Sequence, residues 1–319
     1  MSANSASRHG DSPPAGRGAA ARLLDRALDR TLVTAVARAG TPGRIRFTER
    51  QLYFETCRVL RPPRAVPRGI PVTPAPPVRY ERFAAALIRH GPVAGLLGPL
   101  PGPVPLERRT LREPREADLY DYGLPRMLIC QSRAVARMLL ANDVHLEAAC
   151  PVFAADRLPL DPRLVAGLGK VEGATVHVLH DASVSGIALT ARVRGELPGV
   201  RVVSMGLVPR HAAALHLISG RAPGPGAALD ILPAGIEPRE RDWLAGGRFA
   251  EVEAVAPARL LRTVLRVVRG TRTPSHSLWS GLRELRTTGF LTWPVTNPGD
   301  PTTRGSRGDE PATRNPVQR

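Results

Sequence analysis

The sequence predicts an α/β fold: a parallel sheet flanked by helices and preceded by a small, mostly helical unit. Three observations carry this. Between residues 126 and 206, short apolar and β-branched runs alternate with stretches of helical periodicity, the pattern of strand–helix–strand units with right-handed crossovers. Between residues 18 and 90 the dominant periodicity is helical. Proline- and glycine-rich stretches at 62–77 and 91–105 separate the two kinds of pattern.

Taken in order, residues 1–17 are rich in Ser, Gly, Pro and Arg and are expected to be disordered. From 18 to 39, Leu23, Leu24, Ala27, Leu28, Leu32, Val33 and Val36 recur at helical spacing. Thr48 and Gln51 have the spacing of a capping box, which opens a second helix through Leu60. A third helix is predicted over 80–90. These helices form a unit over 18–110 that would be winged-helix-like, with residues 43–47 the one candidate strand for a wing.

The α/β unit spans 120–270. Its predicted strands are 127–131, 151–155, 174–180 and 200–206, and helices are expected over 133–141, 161–168 and 185–196. Asp161 is placed to cap the second of these. Further helices are predicted over 211–219 and 257–268, with 221–234 a loop, and the tail 297–319 is expected to be disordered.

The 319-residue chain has a formal net charge of +17, a balance that points to a polyanionic partner such as nucleic acid. Every basic residue except Lys170 is arginine, however, and the chain is rich in Ala, Gly and Pro. A G+C-rich coding sequence gives the same bias without any DNA contact. Cys57, Cys130 and Cys150 lack metal-ligand spacing and read as buried thiols in a reducing compartment. The first residues do not follow the charged-then-apolar order of a signal peptide, and no apolar run reaches the roughly 20 residues of a membrane span. A cytoplasmic protein with no membrane association is expected.

Chemistry in an open α/β sheet sits at the carboxyl ends of its strands. Asp181 falls there, directly after the run 174–180 and before Ala182-Ser183-Val184-Ser185-Gly186. Gln131 ends the first predicted strand. In the second helix stands Arg50-Gln51-Leu52-Tyr53-Phe54.

On these residues the stretch 126–208 resembles a Toprim domain, and the region from about 40 to 270 resembles the A subunit of topoisomerase VI and its meiotic break-forming relatives. That resemblance implies a nucleophilic tyrosine in a motif of the form Arg-acid-aliphatic-aromatic-Tyr. It also implies a glutamate after the first Toprim strand and an Asp-x-Asp pair after a later one, which together hold Mg²⁺. Here Phe54 stands at the tyrosine position, Gln131 at the glutamate and Ser183 at the second aspartate. Gly186 matches the family's glycine after the acidic pair.

These departures bear on mechanism. Phe54 has no hydroxyl to attack phosphorus. Tyr53, one residue earlier, is rotated by about 100° around a helix, so it is the remaining candidate nucleophile or else a core residue. With one carboxylate in place of three, attraction for a divalent ion falls by several kcal/mol even at an effective dielectric of about 20. A rearranged metal site would use Asp181 with Asp156; the competing reading makes Asp156 a turn residue.

Other patterns point to structure. Residues 167–170 lack the spacing of a phosphate-binding loop, and His211 and His216 do not share a helix face. His177 and His180 read as sheet residues, with His180 placed to contact a ligand beside Asp181. On the helix from 257, Arg259, Arg262 and Arg266 lie three and four apart, a stripe that can follow a phosphate backbone, and Arg50 is a further DNA contact.

The first functional expectation is therefore a DNA-associated, topoisomerase VI A-like Toprim protein without strand-cleaving activity and with no cofactor. Two alternatives stay open. One is an active Mg²⁺-dependent nuclease or topoisomerase-like enzyme, with Tyr53 as nucleophile. The other is a small-molecule sensor with its ligand at the turn 181–186. Duplex DNA is the expected partner, the resemblance adds an ATPase or other protein partner, and a homodimer stays open.

Overall fold

A computed structural model describes residues 15–62, 72–100, 123–222 and 229–270. The expected tails thus fall largely outside the described residues, although the first helix already begins at Ala15.

The chain opens with three helices, α1 (Ala15–Ala39), α2 (Glu49–Leu60) and α3 (Tyr80–His90). Helix α1 buries Leu28, Leu32, Ala35 and Ala39, a stripe at helical spacing, while Leu23, Leu24 and Val33 face solvent. The capping box of α2 is present in full. Thr48 Oγ1 accepts the Gln51 N–H at 3.0 Å and Gln51 Oε1 accepts the Thr48 N–H at 2.9 Å. The candidate wing strand contributes one isolated parallel bridge, from Phe47 to Leu96.

The sheet follows. Strands β1 (Arg126–Cys130), β2 (Val152–Ala154), β3 (Thr175–Leu179) and β4 (Arg201–Ser204) pair in parallel in the order β2-β1-β3-β4. Between them run α4 (Arg133–Ala141), the single turn α5 (Val144–Glu147), α6 (Pro162–Gly169) and α7 (Val184–Glu196). Ser132 caps α4 and Asp161 caps α6. After β4 come α8 (Pro209–Ala214), β5 (Gly220–Arg221), α9 (Pro238–Ala245), β6 (Arg248–Phe249) and α10 (Pro257–Val268). The helix expected over 211–219 is thus shorter and starts earlier. Leu215, Leu217 and Ile218 are instead buried in a turn and extended segment, with His216 in the left-handed region at φ 50°. Arg221, expected in a loop, pairs through β5 with β6.

The two-residue alternation of the strands divides the core. Met127, Ile129, Val176 and Val178 pack with Leu164 and Leu168 of α6 and Leu189 and Val193 of α7. On the other side, Leu128 and Cys130 join Leu139 of α4 and Leu260 and Val264 of α10, and this cluster runs unbroken into Leu32, Leu52, Phe54 and Phe83 of the leading helices. The helical unit is therefore fused to one face of the sheet through shared apolar packing. All three cysteines are buried and free, and among the described residues no helix is long and apolar enough to cross a membrane.

Candidate functional site

Cys130 and Leu179 are register partners on adjacent strands, so Gln131 and Asp181 emerge beside each other at the carboxyl edge of the sheet. The Gln131 side chain meets the Asp181 backbone. Gln131 Oε1 accepts the Asp181 N–H at 2.8 Å, and Asp181 Oδ1 accepts the backbone N–H of Val252 at 2.6 Å. Ser183 Oγ accepts the Gly186 N–H at 3.0 Å and caps α7. Gly186 closes the arrangement from below: a Cβ there would stand 2.5 Å from both Asp181 O and Gln131 Oε1. Only a residue without a side chain allows this approach.

Burial pushes the Asp181 carboxyl up to about 7, against the lowering effect of the Val252 N–H, with the nearby Glu251 and Glu253 adding to the rise. His180 beside it is buried and held below its ordinary value by the same desolvation. Its Nδ1 lies 2.9 Å from the Asp181 carbonyl and its Nε2 2.8 Å from Ser204 Oγ. A carbonyl can only accept, so Nδ1 carries the proton and Nε2 accepts from the serine. The ring lies flat against Gly206, where a Cβ would come within 2.3 Å of it.

The segment that reaches Asp181 was not anticipated. Ala182 and Ala250 form an antiparallel bridge, which carries Glu251, Val252 and Glu253 across the sheet edge to the start of α2. Glu251 binds Arg50 through two oxygens, one at 2.7 Å from Nε and the other to the terminal nitrogen. Such bidentate pairing fixes orientation as well as charge. The guanidinium also lies 5.0–5.4 Å from the ring centres of Tyr53, Phe54 and Tyr80, and its bond to Glu251 raises its pKa further.

Glu253 is buried, and its carboxyl is raised by that burial. One oxygen takes the Thr48 hydroxyl at 2.6 Å and the other lies 3.5 Å from Ser132 Oγ. A single carboxylate thus spans the N-caps of α2 and α4, where helix dipoles favour negative charge. Arg58 of α2 donates to the Ala254 carbonyl from the far side of the turn.

Each residue singled out from the sequence now has a place. Tyr53 is buried at 3% exposure, its hydroxyl donates to the Val78 carbonyl at 2.9 Å, and its ring packs on Phe54, Tyr80 and Phe83. Desolvation raises its pKa, and its ring and hydroxyl are both engaged in the core. Phe54 is equally buried. Arg50, expected to face DNA, directs its charge at Glu251.

Asp156 sits in a 3-10 turn, Ala155–Arg157, and pairs with Arg133 at 3.8 Å. It follows β2, which β1 separates from β3 and Asp181 by about 10 Å of sheet. On α10, Arg262 and Arg266 are exposed one turn apart while Arg259 is half-buried.

The fit for Mg²⁺ can be judged from the donors. Gln131 Oε1 and Asp181 Oδ1 already accept backbone N–H groups, and the Asp181 carboxyl titrates near neutrality. Magnesium takes hard oxygen ligands, usually with one or two ionised carboxylates among them, and here the Gln131 oxygen and one Asp181 oxygen are engaged by backbone amides. Among the described residues no group of three or more His, Cys, Asp or Glu side chains is arranged to hold a metal ion. No family model, curated protein or solved structure matches this chain.

Proposed function

We propose that this protein is a Toprim-like, DNA-associated module of topoisomerase VI A type that does not cleave strands. One observation carries the reading: at each position where the resembled family places a catalytic group, this chain has a side chain engaged inside its own fold. Phe54 is core, Gln131 and Asp181 hold backbone amides, and Ser183 caps a helix. The parallel sheet with helices on both faces is compatible with a Toprim-like core, and the leading helices α1–α3 precede it in the chain.

DNA association is supported by the net charge of +17 and by Arg262 and Arg266, exposed on one face of α10. Arginines spaced by one turn can contact successive phosphates, fixing orientation without reading sequence. Such a module would work in the cytoplasm, at the nucleoid.

Titration of a short duplex at several salt concentrations tests the association. Neutralising phosphates releases counterions, so log affinity must fall linearly with log salt. Affinity that is absent at low salt, or that does not change with salt, overturns the DNA reading.

A further inference from the structure

Between the N-terminal ends of α2 and α3 and the first turns of α4 lies a cleft of about 250 Å³. It borders the Glu253 junction but is not filled by it. Its walls combine four kinds of group. Arg50 and Arg137 bring cations to it, Glu49 and Glu253 carboxyls, and Tyr80 a flat ring. Pro99 and Ala134 belong to an apolar lining.

These groups are held in place. The Tyr80 hydroxyl donates to Glu49 Oε1 at 2.7 Å, and the Arg50 guanidinium lies 5.0 Å from the Tyr80 ring centre. Arg137 donates to the carbonyls of Gly98 and Pro99 at 2.7 and 3.0 Å, which ties the loop to α4 and leaves a cation at the rim.

The size and mixture of groups select the occupant. Pockets for drug-sized ligands begin at roughly 300 Å³, so this one suits something smaller. A bare phosphate would meet the carboxylates of Glu49 and Glu253; an aliphatic amine would meet Arg50 and Arg137. A small planar ring with both donors and acceptors on its edge satisfies both signs and can stack on flat groups. We infer that this cleft is a binding site for a single nucleobase, supplied either as a free nucleoside or as an unpaired base of a nucleic acid strand.

The second source rests on the DNA reading proposed above, and the first does not. Stacking of one base on an aromatic or guanidinium surface is expected to bring at least a tenfold gain in affinity, about 1.4 kcal/mol.

The test compares three fluorescent probes with the full chain: 2-aminopurine riboside, a duplex with one bulged 2-aminopurine, and the same duplex fully paired. The expected result is saturable binding of the riboside, or binding of the bulged duplex about tenfold tighter than the paired one. Ala134→Leu fills the cleft without removing a polar group, and Tyr80→Ala removes the ring; each should abolish the base-dependent signal while the paired duplex binds as before. Riboside binding with no duplex binding places the source in free nucleosides and overturns the DNA reading alone. Equal affinity for both duplexes together with no riboside binding overturns the cleft proposal and leaves the DNA reading standing. A base-dependent signal unchanged in both variants overturns it as well.

Discussion

The Asp181 carboxylate accepts the backbone N–H of Val252 at 2.6 Å, so the acid at the carboxyl edge of the sheet holds a neighbouring segment in place. Asp181→Ala leaves that N–H without its acceptor, at a cost of about 1–3 kcal/mol. Asp181→Asn keeps an acceptor oxygen and should lose less. Urea denaturation of the two variants at pH 7 ranks them; equal loss would mean that the carboxylate is not the acceptor.

The same residue sets a pH dependence. Its carboxyl rises from an ordinary 3.8 to about 7 on folding, so between these values the folded state binds the proton more tightly than the unfolded state. Stability falls as pH rises through this window and levels off above it. Asp181→Asn cannot titrate and should lack that slope, which makes the difference between variant and parent shift by on the order of 2–4 kcal/mol across the window. Thermal melts from pH 4 to pH 8 read it. Parallel curves for the two proteins would contradict the assignment.

Tyr53→Phe removes the hydroxyl that donates to Val78 and retains the packed ring. The expected loss is about 1 kcal/mol, with no change in behaviour toward DNA. A loss of DNA-directed activity with unchanged stability would restore the nucleophile reading.

Gly186→Ala should be far more damaging. Its Cβ would stand 2.5 Å from a backbone carbonyl and from the Gln131 amide oxygen that holds Asp181. Forcing an atom into such a space costs about 1–3 kcal/mol or more, and the melting temperature of the variant checks it.

Local chemistry made much of this legible in advance. The capping box at Thr48 and Gln51, the Asp161 cap and the helices beginning at Tyr80 and Arg133 follow from side chains a few residues apart. Strand order was not readable, because pairing between β2 and β1 depends on packing rather than on neighbours in sequence. Gln131 and Ser183 look like losses when judged by charge, yet one holds Asp181 and the other caps α7.

Glu251 and Glu253 escaped notice entirely. Their partners Arg50 and Thr48 lie about 200 residues away, so nothing local marks them. The alternation of acid and apolar residues across Ala250-Glu251-Val252-Glu253-Ala254 was the one available signal, although Val252–Ala254 folds as a 3-10 turn and not as an extended strand.

Arg262→Ala with Arg266→Ala should weaken duplex binding similarly for all sequences and reduce the salt slope by about 2. Filter binding at four salt concentrations measures both; an unchanged slope would remove α10 from the interface.

The central claim, a closed site on a DNA-associated fold, is tested most directly by incubating the protein with an end-labelled duplex, with and without Mg²⁺, and resolving the strands on a denaturing gel beside a native gel of the same samples. The account predicts a salt-sensitive shift on the native gel and intact strands on the denaturing gel under both conditions. Mg²⁺-dependent cleavage that disappears in Asp181→Ala would contradict it.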